Sequence, residues 1–215
     1  MQGRSSGWLV ALTLAILTMA LPARAELAVG RDYVAIVPAQ VTDNPARLEV
    51  IEFFSYGCPH CSDFHPTVSK WAASLPSDVV FKRVPISFGR PQWASLSRLY
   101  YALEATGELS KLDGAVFRAL HQDGKKLYDD KSIIAWVSAQ GVDSKKFSDA
   151  YNSFGVISQA KRADQMAQAY KIQGVPALAV DGKYLVTGKE VKGYPDLVAL
   201  TDQVIDKARG DRAKK

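Results

Sequence analysis

Cys58 and Cys61 are the only cysteines in this sequence of 215 residues, and just Pro59 and His60 separate them. A pair with this spacing can close a disulfide without much movement of the backbone. If the pair opens a helix, its first sulfur faces backbone N–H groups without helical partners and the positive end of the helix dipole. Both favour the thiolate form of cysteine. The spacing therefore predicts thiol redox chemistry.

Two other interpretations of the cysteine pair stay open at this point. The pair could supply half of a zinc site, with His60, His65 or His121 as the remaining ligands. It could also form an inert structural disulfide. A single C-x-x-C motif has only moderate specificity, so the motif alone does not decide between the three.

The elements on either side of the pair are the ones that would position it. Leu48 to Tyr56 is a nearly continuous apolar run, which is typical of a central strand covered on both faces. Gly57 interrupts the run, and after the cysteines apolar residues recur at helical spacing as far as Pro76. The predicted order of strand, cysteine pair and helix places Cys58 at a helix N-terminus.

The N-terminal region has the pattern of a secretory signal peptide. Arg4 is basic, Trp8 to Leu21 is apolar, and Ala23-Arg24-Ala25 has the small-residue pattern of a cleavage site. The apolar run is shorter than the roughly 20 residues that span a bilayer, although a retained anchor is the rival interpretation. We therefore predict a signal peptide over residues 1–25, cleaved after Ala25, and an exported mature protein. A single cysteine pair in an exported protein favours a reactive pair over a structural one.

The remaining elements predict an α/β fold. Strand patterns lie before and after a long segment with helical periodicity. The predicted strands are Tyr33–Val37, Leu48–Tyr56, Val79–Phe88, and a hairpin of Ala177–Val180 and Tyr184–Val186 that turns at Asp181-Gly182. The predicted helices after the third strand are Gln92–Thr106, Ser110–His121, Lys131–Gln140, Ser144–Ser153, Val156–Tyr170 and Pro195–Lys207. One sheet would thus be divided in the sequence by an inserted helical domain, residues 91–156, with the sheet domain formed by residues 26–90 and 157–215.

The charge of the chain does not favour nucleic-acid binding. Without Arg4 and Arg24, the 27 basic residues become 25 against 22 acidic ones, a net charge of +3. The excess lies in the C-terminal tail, where no aromatic residues alternate with the cations as on a nucleic-acid surface. We interpret the tail as a solvated helix end and predict no nucleic-acid partner.

Two stretches together carry a family resemblance. Residues 52–61, Glu-Phe-Phe-Ser-Tyr-Gly-Cys-Pro-His-Cys, and residues 174–177, Gly-Val-Pro-Ala, resemble the thioredoxin superfamily. Within it, the chain resembles the DsbA family of bacterial periplasmic thiol:disulfide oxidoreductases over the whole mature length. The resemblance implies a thioredoxin fold with an inserted α-helical domain. It also implies a dithiol oxidase that introduces disulfide bonds into newly exported proteins.

The same resemblance assigns roles to residues of the two stretches. Cys58 would be the exposed nucleophile and Cys61 the buried resolving thiol, within the tetrapeptide completed by Pro59 and His60. His60 would help to hold Cys58 as a thiolate. Val175 would offer backbone hydrogen bonds to an extended substrate, and its bond to Pro176 would be cis. The Cys58–Cys61 disulfide would be the redox centre, with no other cofactor and no metal.

Glu52 lies in the middle of the predicted central strand, where an unpaired carboxylate would cost several kcal/mol. It therefore needs a partner, and Arg83 or Lys82 on the following strand could supply one. Either Glu52 relays protons to Cys61 or the ion pair is purely structural, and the sequence leaves both possibilities open.

The implied partners are unfolded exported proteins with free thiols and a membrane quinone-linked reoxidase of the DsbB type. Before the first central strand there is room for one edge strand and a loop, and not for a dimerisation domain, so we predict a monomer. A reductase or an isomerase of the same fold is the alternative enzyme. A zinc-binding module and a peptide-binding chaperone are the alternatives outside enzymology.

Overall fold

The computed structural model describes residues 26–214, so the predicted signal peptide and its cleavage site lie outside the described residues. Within them, one sheet has the strand order β1-β5-β4-β2-β3. Strand β2 pairs in parallel with β3 and antiparallel with β4, which places it inside the sheet as predicted. The strands are β1 Tyr33–Ala35, β2 Leu48–Phe54, β3 Val79–Pro85, β4 Ala177–Val180 and β5 Tyr184–Val186.

The described helices agree with the predicted ones to within a few residues, except the last, which is longer. Helix α1 begins at Pro59, directly after Cys58, so the predicted order of strand, cysteine pair and helix is confirmed. The helices are α1 Pro59–Ala72, α2 Pro91–Thr106, α3 Leu109–His121, α4 Asp130–Ala139, α5 Ser144–Tyr151, α6 Phe154–Ala169 and α7 Tyr194–Ala213.

Every residue of β2 is buried because helices cover both faces of the sheet. Val50 packs with apolar residues of α1 and α7. Ile51 and Phe53 pack on the other face, with apolar residues of α6. Since successive side chains of a strand point to opposite faces, Glu52 lies on the same face as Val50, the face that α1 covers.

The hairpin between β4 and β5 turns where the sequence predicts. Asp181 and Gly182 both have positive φ, 55° and 63°, as a tight two-residue hairpin turn requires. A Cβ on Gly182 would lie 2.1 Å from the carbonyl oxygen of Gln40, so this turn has space only for glycine.

The C-terminal tail differs from the prediction of a solvated helix end. Helix α7 continues to Ala213 because its cations pair with acidic groups elsewhere. The Nε of Arg212 lies 3.0 Å from a carboxylate oxygen of Asp181, which is buried. Arg209 pairs with Asp78 at 2.9 Å. The tail therefore fastens the last helix to the sheet domain.

Helices α2 to α5 follow β3 and form their own apolar cluster, which also includes Cys58 and Cys61. The cysteines thus lie where the helical segment meets the sheet. Helix α6 begins in this segment and runs across the predicted boundary at residue 157 to pack on the sheet. The division into two domains stays a prediction.

Candidate active site

Cys58 is the N-cap residue of α1, directly before its first residue, Pro59. It has extended backbone angles, and its carbonyl oxygen accepts hydrogen bonds of 3.1 Å from the backbone N–H groups of Cys61 and Ser62. Pro59 occupies the first helical position, where its missing N–H costs no hydrogen bond. The hydrogen-bonded first turn of the helix therefore begins at the Cys58 carbonyl.

The prediction that Cys58 is exposed is wrong, although the order of the two thiols is right. Cys58 is 6% exposed and Cys61 is 0% exposed. The Cys58 Sγ lies 3.4 Å from the carbonyl oxygen of Val175, to which the thiol can donate. The backbone at Val175 thus lies against the Cys58 sulfur, which the family resemblance implied to be exposed.

The Val175–Pro176 peptide bond is cis, as predicted. It precedes β4, the strand that pairs with β2, and so lies beside the cysteine pair. In the described state the Val175 carbonyl already faces Cys58. A substrate that used this carbonyl would have to displace that contact.

The environments of the two sulfurs shift their pKa values in opposite directions. The pKa of Cys58 is lowered to about 6, chiefly because the Cys61 thiol can donate a hydrogen bond to the Cys58 thiolate, against the effect of burial. Backbone N–H groups of Cys61 and His60 also favour this thiolate. Burial raises the pKa of Cys61, and the negative charges of Cys58 and Glu52 act in the same direction.

His60 points its side chain to solvent, and its charge is a smaller cause of the lowered Cys58 pKa than the Cys61 hydrogen bond. The His60 carbonyl accepts a hydrogen bond of 3.1 Å from the Tyr194 hydroxyl on α7. His60 thus supports the Cys58 thiolate from within the first helical turn.

Glu52 is completely buried, and its negative charge acts on the Cys61 thiol. The structure identifies its partner as Arg83, whose Nε is 2.7 Å from Glu52 Oε2. Arg83 is the register partner of Glu52 on β3, whereas Lys82 pairs with Ile51 and so points to the other face. Lys82 instead contacts Glu49. Burial raises the pKa of Glu52, although the charge of Arg83 opposes the shift.

Gly57, just before Cys58, is covered by the indole ring of Trp93 from α2. A Cβ on Gly57 would lie 2.5 Å from Trp93 Nε1, much closer than real contacts allow. Trp93 also packs against the apolar cluster that contains both cysteines. Glycine at this position is therefore required by the close approach of the helical segment.

Comparisons with known proteins bear on this site. A family model described as DSBA-like thioredoxin domain matches residues 49–201. The thiol:disulfide interchange protein DsbA of Bordetella parapertussis is 41% identical over 203 residues, which cover 94% of this chain and 95% of that protein. The chain belongs to the DsbA family.

Other members support the same assignment. The thiol:disulfide interchange protein DsbA of Azotobacter vinelandii is 39% identical over 86% of each chain. The crystal structure of Pseudomonas aeruginosa DsbA has a TM-score of 0.81 and 37% identity, and the match covers 86% of this chain and 96% of that chain. As a DsbA-family protein, the chain has the predicted thioredoxin fold and is a thiol:disulfide oxidoreductase.

Two of the three histidines considered as zinc ligands contact other groups in this family member. His65 Nε2 lies 2.8 Å from Asp113 Oδ2, and His121 Nε2 lies 2.7 Å from the carbonyl oxygen of Tyr56. Within residues 26–214, no group of three His, Cys, Asp or Glu side chains is placed to hold a metal ion. In the same part of the chain, no helix combines the length and apolar composition needed to cross a membrane.

The sequence reasoning missed Asp113, which lies on α3 and contacts the buried ion pair. Its Oδ2 is 2.6 Å from Arg83 Nη1, and its Oδ1 is 2.5 Å from the Tyr56 hydroxyl. His65, one of the possible zinc ligands, is partly buried and contacts the same carboxylate. The sequence gives no signal for this contact, because Glu52 already accounts for the charge of Arg83 and Asp113 occurs in an ordinary helical pattern.

Proposed function

We propose that the chain is a periplasmic dithiol oxidase, which introduces disulfide bonds into newly exported proteins through a Cys58–Cys61 disulfide. The observation that carries this proposal is the position of Cys58 at the N-terminus of α1, with its Sγ 3.4 Å from the carbonyl oxygen of Val175, next to the cis Val175–Pro176 bond. The lowering of the Cys58 pKa to about 6 and the raised pKa of Cys61 agree with it. A sulfur with a low pKa is a good leaving group in thiol–disulfide exchange. Cys58 is therefore suited to release a substrate, and Cys61 to stay protonated in the reduced protein.

The reaction takes two exchanges. A substrate thiolate attacks the Cys58 sulfur of the oxidised protein, so that a mixed disulfide forms, the Cys58–Cys61 bond breaks and the electron pair goes to Cys61. The Cys61 sulfur then takes up a proton. A second substrate thiolate attacks the first substrate sulfur, a substrate disulfide forms, and Cys58 leaves as a thiolate. The substrate loses two electrons and the protein gains them.

The other proposed site residues assist these exchanges. His60 and Pro59 shape the first turn that favours the Cys58 thiolate, and Glu52 exchanges a proton with Cys61. Val175 and Pro176 form the surface against which the extended substrate lies, beside the Cys58 sulfur. The redox centre is the cysteine pair, without a further cofactor or metal.

We further propose that the protein acts as a monomer, that residues 1–25 direct it to the periplasm, and that cleavage follows Ala25. Its substrates would be unfolded exported proteins with free thiols, and a membrane quinone-linked protein of the DsbB type would reoxidise it. Residues 91–156 would form the inserted helical domain. A reductase or isomerase is the alternative function, which a strongly reducing cysteine couple would favour.

The test is disulfide formation in a reduced, unfolded substrate protein by the stoichiometrically oxidised mature chain. We expect one substrate disulfide per protein molecule consumed, and no transfer by Cys58→Ser or by Cys61→Ser, because neither variant can form the Cys58–Cys61 disulfide. Lys145→Gln, on an exposed surface far along the chain, is the matched control and should transfer at the parental rate. A chain that reduces substrate disulfides but forms none would refute the oxidase proposal.

A further inference from the structure

Arg83 forms ion pairs with two carboxylates. Its Nε lies 2.7 Å from Glu52 and its Nη1 lies 2.6 Å from Asp113. The guanidinium also stacks on the Phe54 ring, with 3.9 Å between Cζ and the ring centroid. These contacts fix Arg83 between β2 and helix α3, so one positive charge is divided between the buried Glu52 and the partly exposed Asp113.

The two carboxylates are not equally well paired. Asp113 also contacts His65 at 2.8 Å and accepts a hydrogen bond from the Tyr56 hydroxyl at 2.5 Å. Glu52 has its single bond to Arg83, and its Oε1 is buried without a hydrogen-bond partner among the described residues. A buried carboxylate with few partners favours its protonated form. Of the two acids, Glu52 is therefore the one suited to carry a proton.

We propose that Asp113 and His65 are positioning residues that set the proton affinity of Glu52, and thereby the ease with which Cys61 gains or loses its proton. The inference rests on the proposed function, in which Glu52 exchanges a proton with Cys61. In the oxidising direction the Glu52 O–H bond breaks and an S–H bond forms on the Cys61 thiolate. Neither Asp113 nor His65 touches the reacting sulfur.

The charged groups around Glu52 act with different signs. The positive charge of Arg83 and any positive charge on His65 favour the Glu52 carboxylate, whereas the negative charge of Asp113 favours its protonated form. Cys61 lies on α1, and a negative charge on its sulfur and the negative charge of Glu52 would oppose each other. Tyr56 and Tyr100 face Arg83 and Asp113 from the remaining elements, and burial keeps the pKa of each phenol raised, so both stay neutral.

Asp113 and His65 touch each other but are predicted to act on Glu52 in opposite directions. Without the Asp113 charge, the positive charge of Arg83 interacts with Glu52 alone, so the Glu52 carboxylate becomes more stable. Loss of a charge on His65 removes stabilisation from the same carboxylate. A role confined to structure would make the two substitutions act alike, because each disturbs the same contact.

The experiment is a pH titration of the Glu52 side-chain carboxyl by NMR in reduced protein labelled with ¹³C-glutamate, with Glu52→Gln used to assign the signal. With Asp113→Asn we expect the midpoint to fall by about 1 pH unit, the lower range for loss of a neighbouring charge. With His65→Gln, which can keep the contact to Asp113, we expect it to rise. Asp113→Glu keeps the negative charge at this position, so its Glu52 midpoint should equal the parental one.

The inference would be overturned if the Glu52 midpoints of Asp113→Asn and His65→Gln moved in the same direction or did not move. It would also be overturned if Glu52 kept one ionisation state over the whole pH range in every variant. If Asp113→Asn fails to fold, the rise with His65→Gln alone decides. The titration uses no substrate, so it is independent of the disulfide-transfer test. Parental transfer with unmoved midpoints would refute this inference alone, whereas moved midpoints without transfer would refute the proposed function alone.

Discussion

The lowered pKa of Cys58 comes mainly from its partner thiol. The sequence suggests the helix N-terminus and His60 as causes, but the hydrogen bond from Cys61 is the largest, with the backbone N–H groups and the His60 charge next. The reactivity of Cys58 is therefore a property of the pair. The Cys58 thiolate requires a hydrogen-bond donor on the side chain of residue 61.

This leads to a prediction for two substitutions of Cys61. In reduced wild-type protein, thiolate ultraviolet absorbance should titrate with a midpoint of about 6 for Cys58. Cys61→Ser keeps a hydroxyl donor and should leave the midpoint close to that value. Cys61→Ala removes the donor, and the midpoint should rise toward the free value of about 8.5. Equal midpoints in the two variants would show that the helix terminus alone lowers the pKa.

For individual residues, the sequence predicts the buried ion pair of Glu52 with a cation, but it does not predict the further contact of Arg83 with Asp113. Glu52 needs a cation because it lies in an apolar strand, and Arg83 was one of two named candidates. Asp113 could not be predicted, because its contact depends on how α3 packs against the sheet. No local pattern near residue 113 records that packing.

The turn between β2 and α1 depends on an element distant in the sequence. Gly57 lies under the Trp93 ring, which α2 supplies. The sequence shows a glycine that interrupts an apolar run, but the reason for glycine is a close approach visible only in the fold. Strand β2 and helix α1 themselves were predictable, because their periodicity and burial agree.

We expect Gly57→Ala to lower the free energy of unfolding by about 1–3 kcal/mol, the usual cost of overpacking. The added Cβ would meet Trp93 Nε1 at 2.5 Å, so the indole ring must move. Urea unfolding measures the change. The matched control is Gly114→Ala on α3, where the Cβ would lie 3.5 Å from His65 and cause no overlap.

In the control, alanine replaces glycine inside a helix and should stabilise the protein by about 0.5–1 kcal/mol. If Gly57→Ala were as stable as the parent, the close approach of Trp93 would not constrain the turn.

The last helix, α7, ends at a residue that the local sequence pattern does not predict. The sequence predicted its end at Lys207, whereas the contact of Arg212 with the buried Asp181 keeps it helical to Ala213.

For the whole molecule, the Cys58 pKa links stability to the redox state. With a folded pKa of about 6 and an unfolded value of about 8.5, the thiolate stabilises the reduced fold by about 1.4 kcal/mol at pH 7. A disulfide across four residues stabilises the oxidised fold by about 2 kcal/mol in the chain-entropy model. The two forms should therefore differ by less than about 1 kcal/mol at pH 7.

The sign of the pH dependence follows from the direction of the shift. A lowered folded pKa gives stabilisation that is complete above the unfolded pKa and is lost as the pH falls through about 6. Relative to the oxidised form, the reduced form should gain about 2.5 kcal/mol between pH 5 and pH 8. Urea unfolding of both forms measures this difference, in which groups common to both forms largely cancel. A difference that is constant with pH would contradict the lowered Cys58 pKa.

The most direct test of the central claim, an oxidising Cys58–Cys61 couple, is its reduction potential in equilibrium with glutathione at pH 7. Stabilisation of the Cys58 thiolate favours the reduced form and makes the disulfide more oxidising. We predict a potential at or above about −200 mV, in the range of protein disulfide isomerase or more oxidising. A more negative value, toward the roughly −270 mV of thioredoxin, would contradict the claim, because such a couple reduces disulfides instead of forming them.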